Sequence, residues 1–240
     1  PLCPTGTAGT EVFTLDFEKD DAGDDLIAGT SDLNTNQPYD NIFGNNMGIT
    51  IESISLPGFN PLNLYPSDDT GGADPDEEFG TGWRGGNIPT TMLGNTLMLQ
   101  EDGVPISTPN VNAGGPNTLR FNSDMPLSAI SIDFTDLESG ELGDDDVITF
   151  TNTTTNNAVD IQLRDFAGNS GSSVAVMGFL LGNGTANRVP DLTAAEIAAY
   201  GGATLESFDR IEITTSASYG IGNICVKKAV DNPVAIGSTV

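Results

Sequence analysis

Leu127-Ser128-Ala129-Ile130-Ser131-Ile132-Asp133-Phe134 is the segment on which the fold turns. Ile130, Ile132 and Phe134 share one parity and Ser131 and Asp133 the other, the period of two that puts successive side chains on opposite faces of a β-strand. The same alternation returns at Ile211 and Ile213 against Glu212 and Thr214. Working outward, strand-like segments recur at residues 12–17, 48–56, 96–100, 118–122, 147–152, 158–164, 174–181, 208–215 and 222–226, separated by clusters of Gly, Pro, Asn and Asp. Short strands punctuated in this way predict an all-β protein, an antiparallel β-sandwich or jelly roll. Residues 147–152 and 158–164, with 153–157 between them, predict a hairpin.

One short surface helix interrupts the strands. In residues 191–201, Thr193 and Glu196 have the spacing of a capping box, alanines fill the interior and Gly201 offers a stop. A helix this short must lean on the sandwich, and Ile197 and Tyr200 are the side chains placed to do so. With 240 residues and 37% hydrophobic content, the chain can bury one substantial core. The expectation is a single domain over residues 1–226, followed by a tail, 227–240. Val234, Ile236 and Val240 in that tail alternate loosely and could add as a strand to a neighbouring molecule. Residues 57–93 are aperiodic and rich in Gly, Pro, Asn and Asp, which reads as an ordered, ion-clamped loop.

Eight Lys and Arg against 34 Asp and Glu give a formal charge of −26. Such a charge repels phosphate backbones and anionic membrane surfaces, so nucleic acid is excluded as a partner. No stretch of 18 apolar residues predicts a membrane span, and the start at Pro1 reads as a mature chain freed of its leader. Crowded carboxylates also repel one another within the fold, and bound divalent cations would relieve that repulsion. An evenly acidic, heavily solvated surface is the alternative. The acids are gathered, however: residues 16–25, residues 68–78, Glu101 with Asp102, and residues 133–146. Oxygen ligands without histidine select calcium. None of the runs has EF-hand or nonapeptide-repeat spacing, so a calcium site must be assembled from separate loops.

The two cysteines, Cys3 and Cys225, lie near opposite ends of a chain that also carries the sequons Asn152-Thr153-Thr154 and Asn183-Gly184-Thr185. An even cysteine count of this kind suits an oxidising, extracellular compartment, with two buried thiols as the alternative. A Cys3–Cys225 bridge would close a loop worth roughly 5 kcal/mol in the chain-entropy account. It would also set the first and last strands side by side.

With no histidine, Ser-His-Asp and Cys-His catalysis is ruled out and most zinc sites with it. Two carboxylates suffice for glycoside hydrolysis, but among 34 acids some pair always has plausible spacing, so the expectation is that the chain is not an enzyme. For sugar binding, Trp83 lies in a glycine-rich setting beside the acidic loop, near Tyr65 and Arg84. Aromatic faces stack on sugar rings, so these three are candidate glycan contacts.

Leu15-Asp16-Phe17-Glu18, Gly48-Ile49-Thr50-Ile51, residues 68–76, Leu99-Gln100-Glu101-Asp102, Ile132-Asp133-Phe134, residues 209–213 and Gly220-Ile221-Gly222-Asn223-Ile224 occur in an order that resembles exported bacterial β-sandwich domains. These domains are often found in proteins with a C-terminal sorting signal, and the pattern is also similar to calcium-bearing carbohydrate-binding jelly rolls. The likeness spans roughly residues 11–226. It implies a structural calcium shared between the first strand, at Asp16 or Glu18, and the last, at Asn223. A second site would draw on Asp68, Asp69, Asp74 and Asp76. The function expected is a secreted, calcium-stabilised structural protein of a fibre, coat or matrix that self-associates through its ends. A calcium-dependent glycan-binding module and a polysaccharide hydrolase or lyase are the alternatives.

Overall fold

The computed structural model describes residues 12–15, 17, 48–54, 62–66, 85–88, 95–99, 117–137, 142–168, 172–182, 184–217 and 219–229. Ten strands are found there: β1 (Val12–Leu15), β2 (Ile49–Ile54), β3 (Leu62–Pro66), β4 (Asn95–Leu99), β5 (Asn117–Thr135), β6 (Val147–Asn152), β7 (Asn157–Gln162), β8 (Ala186–Thr193), β9 (Phe208–Thr215) and β10 (Gly220–Lys228). Helix α1 spans Ala194–Gly201, and a turn of 3-10 helix covers Leu163–Ala167. Every pairing between named strands is antiparallel, so the fold is an all-β sandwich, with one short α-helix among the described residues.

Strand β5 organises the sandwich. Residues 117–122 pair with β2 and β9, whereas residues 127–135 pair with β8 and β10. Between Asn122 and Leu127 the register against β9 slips, and that bulge lets a single strand belong to both layers. The sequence reads this stretch as two strands because Ser123-Asp124-Met125-Pro126 has turn composition. The chain instead stays extended, with the Asp124 amide donating to the Gly48 carbonyl at 2.7 Å.

One layer is β2-β5-β9-β6-β7, and its alternation is clean. Ile51, Leu119, Phe121, Ile211, Ile213, Ile148, Phe150, Val159 and Ile161 are buried in the core. The Phe150 and Phe208 rings meet edge to face at 5.2 Å, an arrangement worth about 0.5–1.5 kcal/mol beyond area burial. The other layer holds β8, β5, β10 and, beyond β10, β1 and β4 with β3. Here the sequence reading needs correcting. Ser131 and Asp133, placed by alternation on the face opposite Ile130, Ile132 and Phe134, are 2% and 1% exposed. Asn223 and Cys225 on β10 are buried too, so this layer is covered on both faces.

Three further differences have physical causes. Residues 174–181 form turns, with Phe179 N–H donating to Val176 O and Gly178 at φ 76°, because an unalternating apolar run does not specify a strand. Strand β8 escapes the sequence pattern because it contains Pro190, which gives no ladder N–H, and Asp191 at φ 38°. Both sit where its register against β5 shifts, on a strand that pairs with β5 alone among the named strands, the setting in which proline is tolerated. Strand β3 lies inside the stretch read as a loop.

Helix α1 starts as expected, with Thr193 and Glu196 completing the capping box. Its end is one residue later than read from sequence. Gly201 is the last helical residue, and an added Cβ there would lie 2.5 Å from Val159 Cγ1, while Gly202 at φ 61° forms the cap. Ile197 is fully buried in the main core, and Tyr200 packs against that core with its hydroxyl donating to Asp165.

The Tyr219 hydroxyl is buried without a hydrogen-bond partner. An unsatisfied buried hydroxyl is destabilising, so Tyr219→Phe is expected to stabilise the protein by about 1 kcal/mol in urea unfolding at neutral pH. Burial also raises the phenol above its ordinary value of 10.0. The folded state therefore keeps a proton that the unfolded chain releases, so this contribution is intact below about pH 10 and is lost as pH climbs further. The gain from Tyr219→Phe should accordingly widen at about pH 11, where the unfolded tyrosine is ionised.

Candidate functional site

Among the described residues, a buried polar cluster lies on the covered outer face of the β8-β5-β10 layer. Asp133 projects from β5 opposite Arg188 of β8, its register partner. Arg188 Nε donates to Asp133 Oδ1 and Nη2 to Oδ2, both at 2.6 Å, the bidentate fork that guanidinium and carboxylate favour. From β10, Asn223 Nδ2 donates to Asp133 Oδ2 at 3.2 Å. The Asp133 side chain is 1% exposed and that of Arg188 22%, so the pair is sealed on the acid side and open on the basic side. The bond to Asp133 holds the Arg188 guanidinium more firmly protonated, against the desolvation that acts the other way.

Arg188 is anchored from behind as well. The Asn87 carboxamide accepts from Arg188 N–H at 2.6 Å and donates to Arg188 O at 2.9 Å, imitating the bonds of a neighbouring strand. Gly85 and Ile88 flank this contact: Ala186 N–H donates to Gly85 O at 3.1 Å and Ile88 N–H to Ala186 O at 3.3 Å. Gly85–Ile88 therefore lies along the edge of β8, with a parallel bridge between Gly85 and Thr185. Gly86 at φ 110° allows the approach, since an added Cβ would fall 1.9 Å from Ala186 O.

With both Asp133 oxygens taken by charge-assisted or amide donors, the cluster has no carboxylate free to act as base or nucleophile. What it does is join β5, β8, β10 and the Gly85–Ile88 segment. Other members of the fourth acidic run are similarly engaged. Asp136 Oδ1 accepts from Gly184 N–H at 2.7 Å, Asp146 accepts from the backbone of Ser216 and Gly143, and Asp144 pairs with Arg164 at 2.5 Å. Among the described residues, no group of three or more His, Cys, Asp or Glu converges as a metal-ligand set.

Of the residues read from sequence as calcium ligands, Asn223 alone is described, buried beside Asp133. Its amide nitrogen faces Asp133, so the carbonyl oxygen, the atom calcium would take, faces away. Asp16, Glu18, Asp68, Asp69, Asp74 and Asp76 lie outside the described residues, as do Cys3, Trp83, Arg84, Asn183 and the side chain of Tyr65. Cys225 is buried in β10, and no free cysteine occurs among the described residues. At the sequon of Asn152, Nδ2 donates to Ser207 O and Oγ, both at 3.2 Å, and Oδ1 accepts from Thr155 N–H at 2.9 Å. The nitrogen that glycosylation would modify is thus engaged in the hairpin turn. Sequence reading missed Arg188 and Asn87, and the scarcity of cations was the signal available: one of only eight in the chain sits in β8.

A second polar surface covers the outer face of the other layer. Cross-strand neighbours run Glu52, Arg120, Glu212, Thr149, Asp160 in one row and Thr50, Asn122, Arg210, Thr151, Ala158 in the next. Arg120 bridges Glu212 at 2.6 Å and Glu52 at 3.4 Å, and Thr149 Oγ1 donates to Asp160 Oδ1 at 2.7 Å. All of these side chains are partly or fully exposed.

No family model matches the chain, and no curated protein matches it.

Proposed function

We propose that the chain is a secreted, calcium-stabilised structural protein of an extracellular fibre, coat or matrix that self-associates through its terminal segments. The observation that carries this reading is the pairing of the first strand with the last. Val12 lies opposite Lys227 and Leu15 opposite Ile224, so the segments before β1 and after β10 leave from the same end of one strand pair. Two adjacent ends held on a strand buried on both faces make a firm base for contacts between copies. Among the described residues β2 pairs only with β5, which leaves an edge to which the alternating tail of a neighbour could add.

In this reading Cys3 joins Cys225 and clamps the terminal strands. Calcium is shared between Asp16 or Glu18, which follow β1 in sequence, and the carbonyl of Asn223, which precedes the Ile224 partner of Leu15. A second ion is held by Asp68, Asp69, Asp74 and Asp76. The reading assigns no catalysis to the chain.

Two measurements test it. Deleting residues 231–240 is expected to abolish filaments in electron micrographs while leaving the thermal midpoint within about 2 °C, the shift of a small surface change. Filaments that persist would overturn the role of the tail. Adding a chelator is expected to lower the midpoint by several degrees, because removing an ion that binds only the folded state costs stability by mass action. An unchanged midpoint would remove calcium from the proposal.

A further inference from the structure

The turn before β8 exposes apolar surface and holds it in place. Residues 174–181 read Val-Ala-Val-Met-Gly-Phe-Leu-Leu, apolar throughout. Val174 and Phe179 are buried in the core, and the Phe179 ring lies 5.9 Å from that of Phe166 and 6.4 Å from that of Phe134. Val176 N–H donates to Phe166 O at 2.8 Å, and Phe179 N–H donates to Val176 O at 3.1 Å. Beyond them the fully buried Asn187 carboxamide accepts from Leu180 N–H at 2.8 Å and donates to Leu180 O at 2.7 Å. Met177 and Gly178 stand between these anchors, and Gly178 at φ 76° turns the chain.

Met177 is 94% exposed, against 48% for Leu180, 37% for Ile54 and 36% for Met125, the other exposed large apolar side chains among the described residues. So little of it is removed from water that burial contributes almost nothing to its place in the fold. Its sulfur is what sets it apart from another apolar side chain there, because a thioether is soft and carries a lone pair that reacts with peroxides. That reaction passes through a polar transition state, which water stabilises at an exposed sulfur and cannot reach at a buried one.

We propose that Met177 is a site of reversible oxidation by peroxides, at which the surface of the turn changes polarity while the sandwich stays folded. A sulfur lone pair attacks one peroxide oxygen, the O–O bond breaks, and after proton transfer water leaves. Sulfur gives up two electrons and the peroxide takes them. The sulfoxide formed is polar and accepts hydrogen bonds, so the tip of the turn ceases to be apolar. A sulfoxide reductase returns the thioether, releasing the oxygen as water while two thiols become a disulfide. Val174, Phe179 and Asn187 keep the turn in place, and a side chain 94% exposed has little packing to lose. The site requires neither the tail nor calcium, so its failure would leave the structural proposal standing, and the reverse holds too.

The test treats the full chain with dilute hydrogen peroxide at neutral pH, with a short methionine peptide in the same tube as the reference, and follows each methionine by mass-spectrometric peptide mapping. Met177 should oxidise within about threefold of the peptide's rate and at least about threefold faster than Met125, in step with exposure. The oxidised protein should leave a hydrophobic-interaction column earlier, and sulfoxide reductases of both stereospecificities should restore its elution. Its thermal midpoint should stay within about 1 °C, as for a surface change. Met177→Leu, which keeps the apolar bulk without the sulfur, should elute at the same place before and after the same dose. Oxidation of Met177 more than about tenfold slower than the peptide would show that the sulfur is covered and overturn the proposal. So would Met125 reacting as fast as Met177, an elution shift that persists in Met177→Leu, or a fall in midpoint that Met177→Leu abolishes.

Discussion

Asp133→Ala is expected to destabilise the protein by about 3–5 kcal/mol, the cost of breaking a buried ion pair from one side. The Asp133 carboxylate is 1% exposed and takes three donors from two neighbouring strands. Its loss leaves the Arg188 guanidinium, 22% exposed, without its counter-charge, and leaves the Asn223 amide without that acceptor. A double substitution separates this penalty from the net value of the pair. Asp133→Leu with Arg188→Met removes both charges and keeps most of the volume. Because desolvation of two ions offsets much of their attraction, the double variant should be closer to wild type than Asp133→Ala. Urea unfolding of wild type, Asp133→Ala and the double variant measures this. If Asp133→Ala costs less than about 1 kcal/mol, the cluster is not the fastening described.

Gly86→Ala should have the second largest effect, about 2–3 kcal/mol, for two independent reasons. At φ 110° any side chain is strained, and here the new methyl would overlap the Ala186 carbonyl at 1.9 Å. Backbone cannot swing aside as a long side chain can, so Gly85–Ile88 must lift from β8, and the Asn87 bonds to Arg188 lift with it. Hydrogen exchange should then show lost protection at Ile88, Ala186 and Arg188 while β6 and β9 remain protected. Uniform loss across both layers would argue against a local docking.

The strands with one buried face were legible in the sequence because water selects the alternation. Ile211 and Ile213 had to face the core and Glu212 solvent. The capping box of α1 was equally legible, since Thr193 and Glu196 satisfy one another within four residues. What escaped was decided by distant neighbours. Ser131 and Asp133 alternate like residues facing water, and only the tertiary structure covers them and supplies Arg188, 55 positions away. Strand β8 was hidden by Pro190 and Asp191, which are tolerated because the ladder bulges there. The apolar run at residues 174–181 lacked the alternation that would have forced a strand, and Met177 is left 94% exposed at the turn. Of the candidate site, the resemblance pointed to Asn223 as a calcium ligand and the fourth acidic run included Asp133, but neither showed that the two meet, and Arg188 carries no local pattern at all.

The pairing of β1 with β10 also sets how the molecule would respond to tension. Among the described residues β1 begins and β10 ends beside the Val12 and Lys227 rung, so a pull that draws the two strands apart from that side loads their pairing rung by rung, Val12 with Lys227 first, then Phe13 with Val226, and so on in sequence. Such peeling yields at far lower force than shearing, in which all rungs share the load. A covalent link at Cys225, opposite Thr14, would stop the tear after the first two rungs. In a stretched fibre, the proposed Cys3–Cys225 bond would act as a mechanical stop for the sandwich.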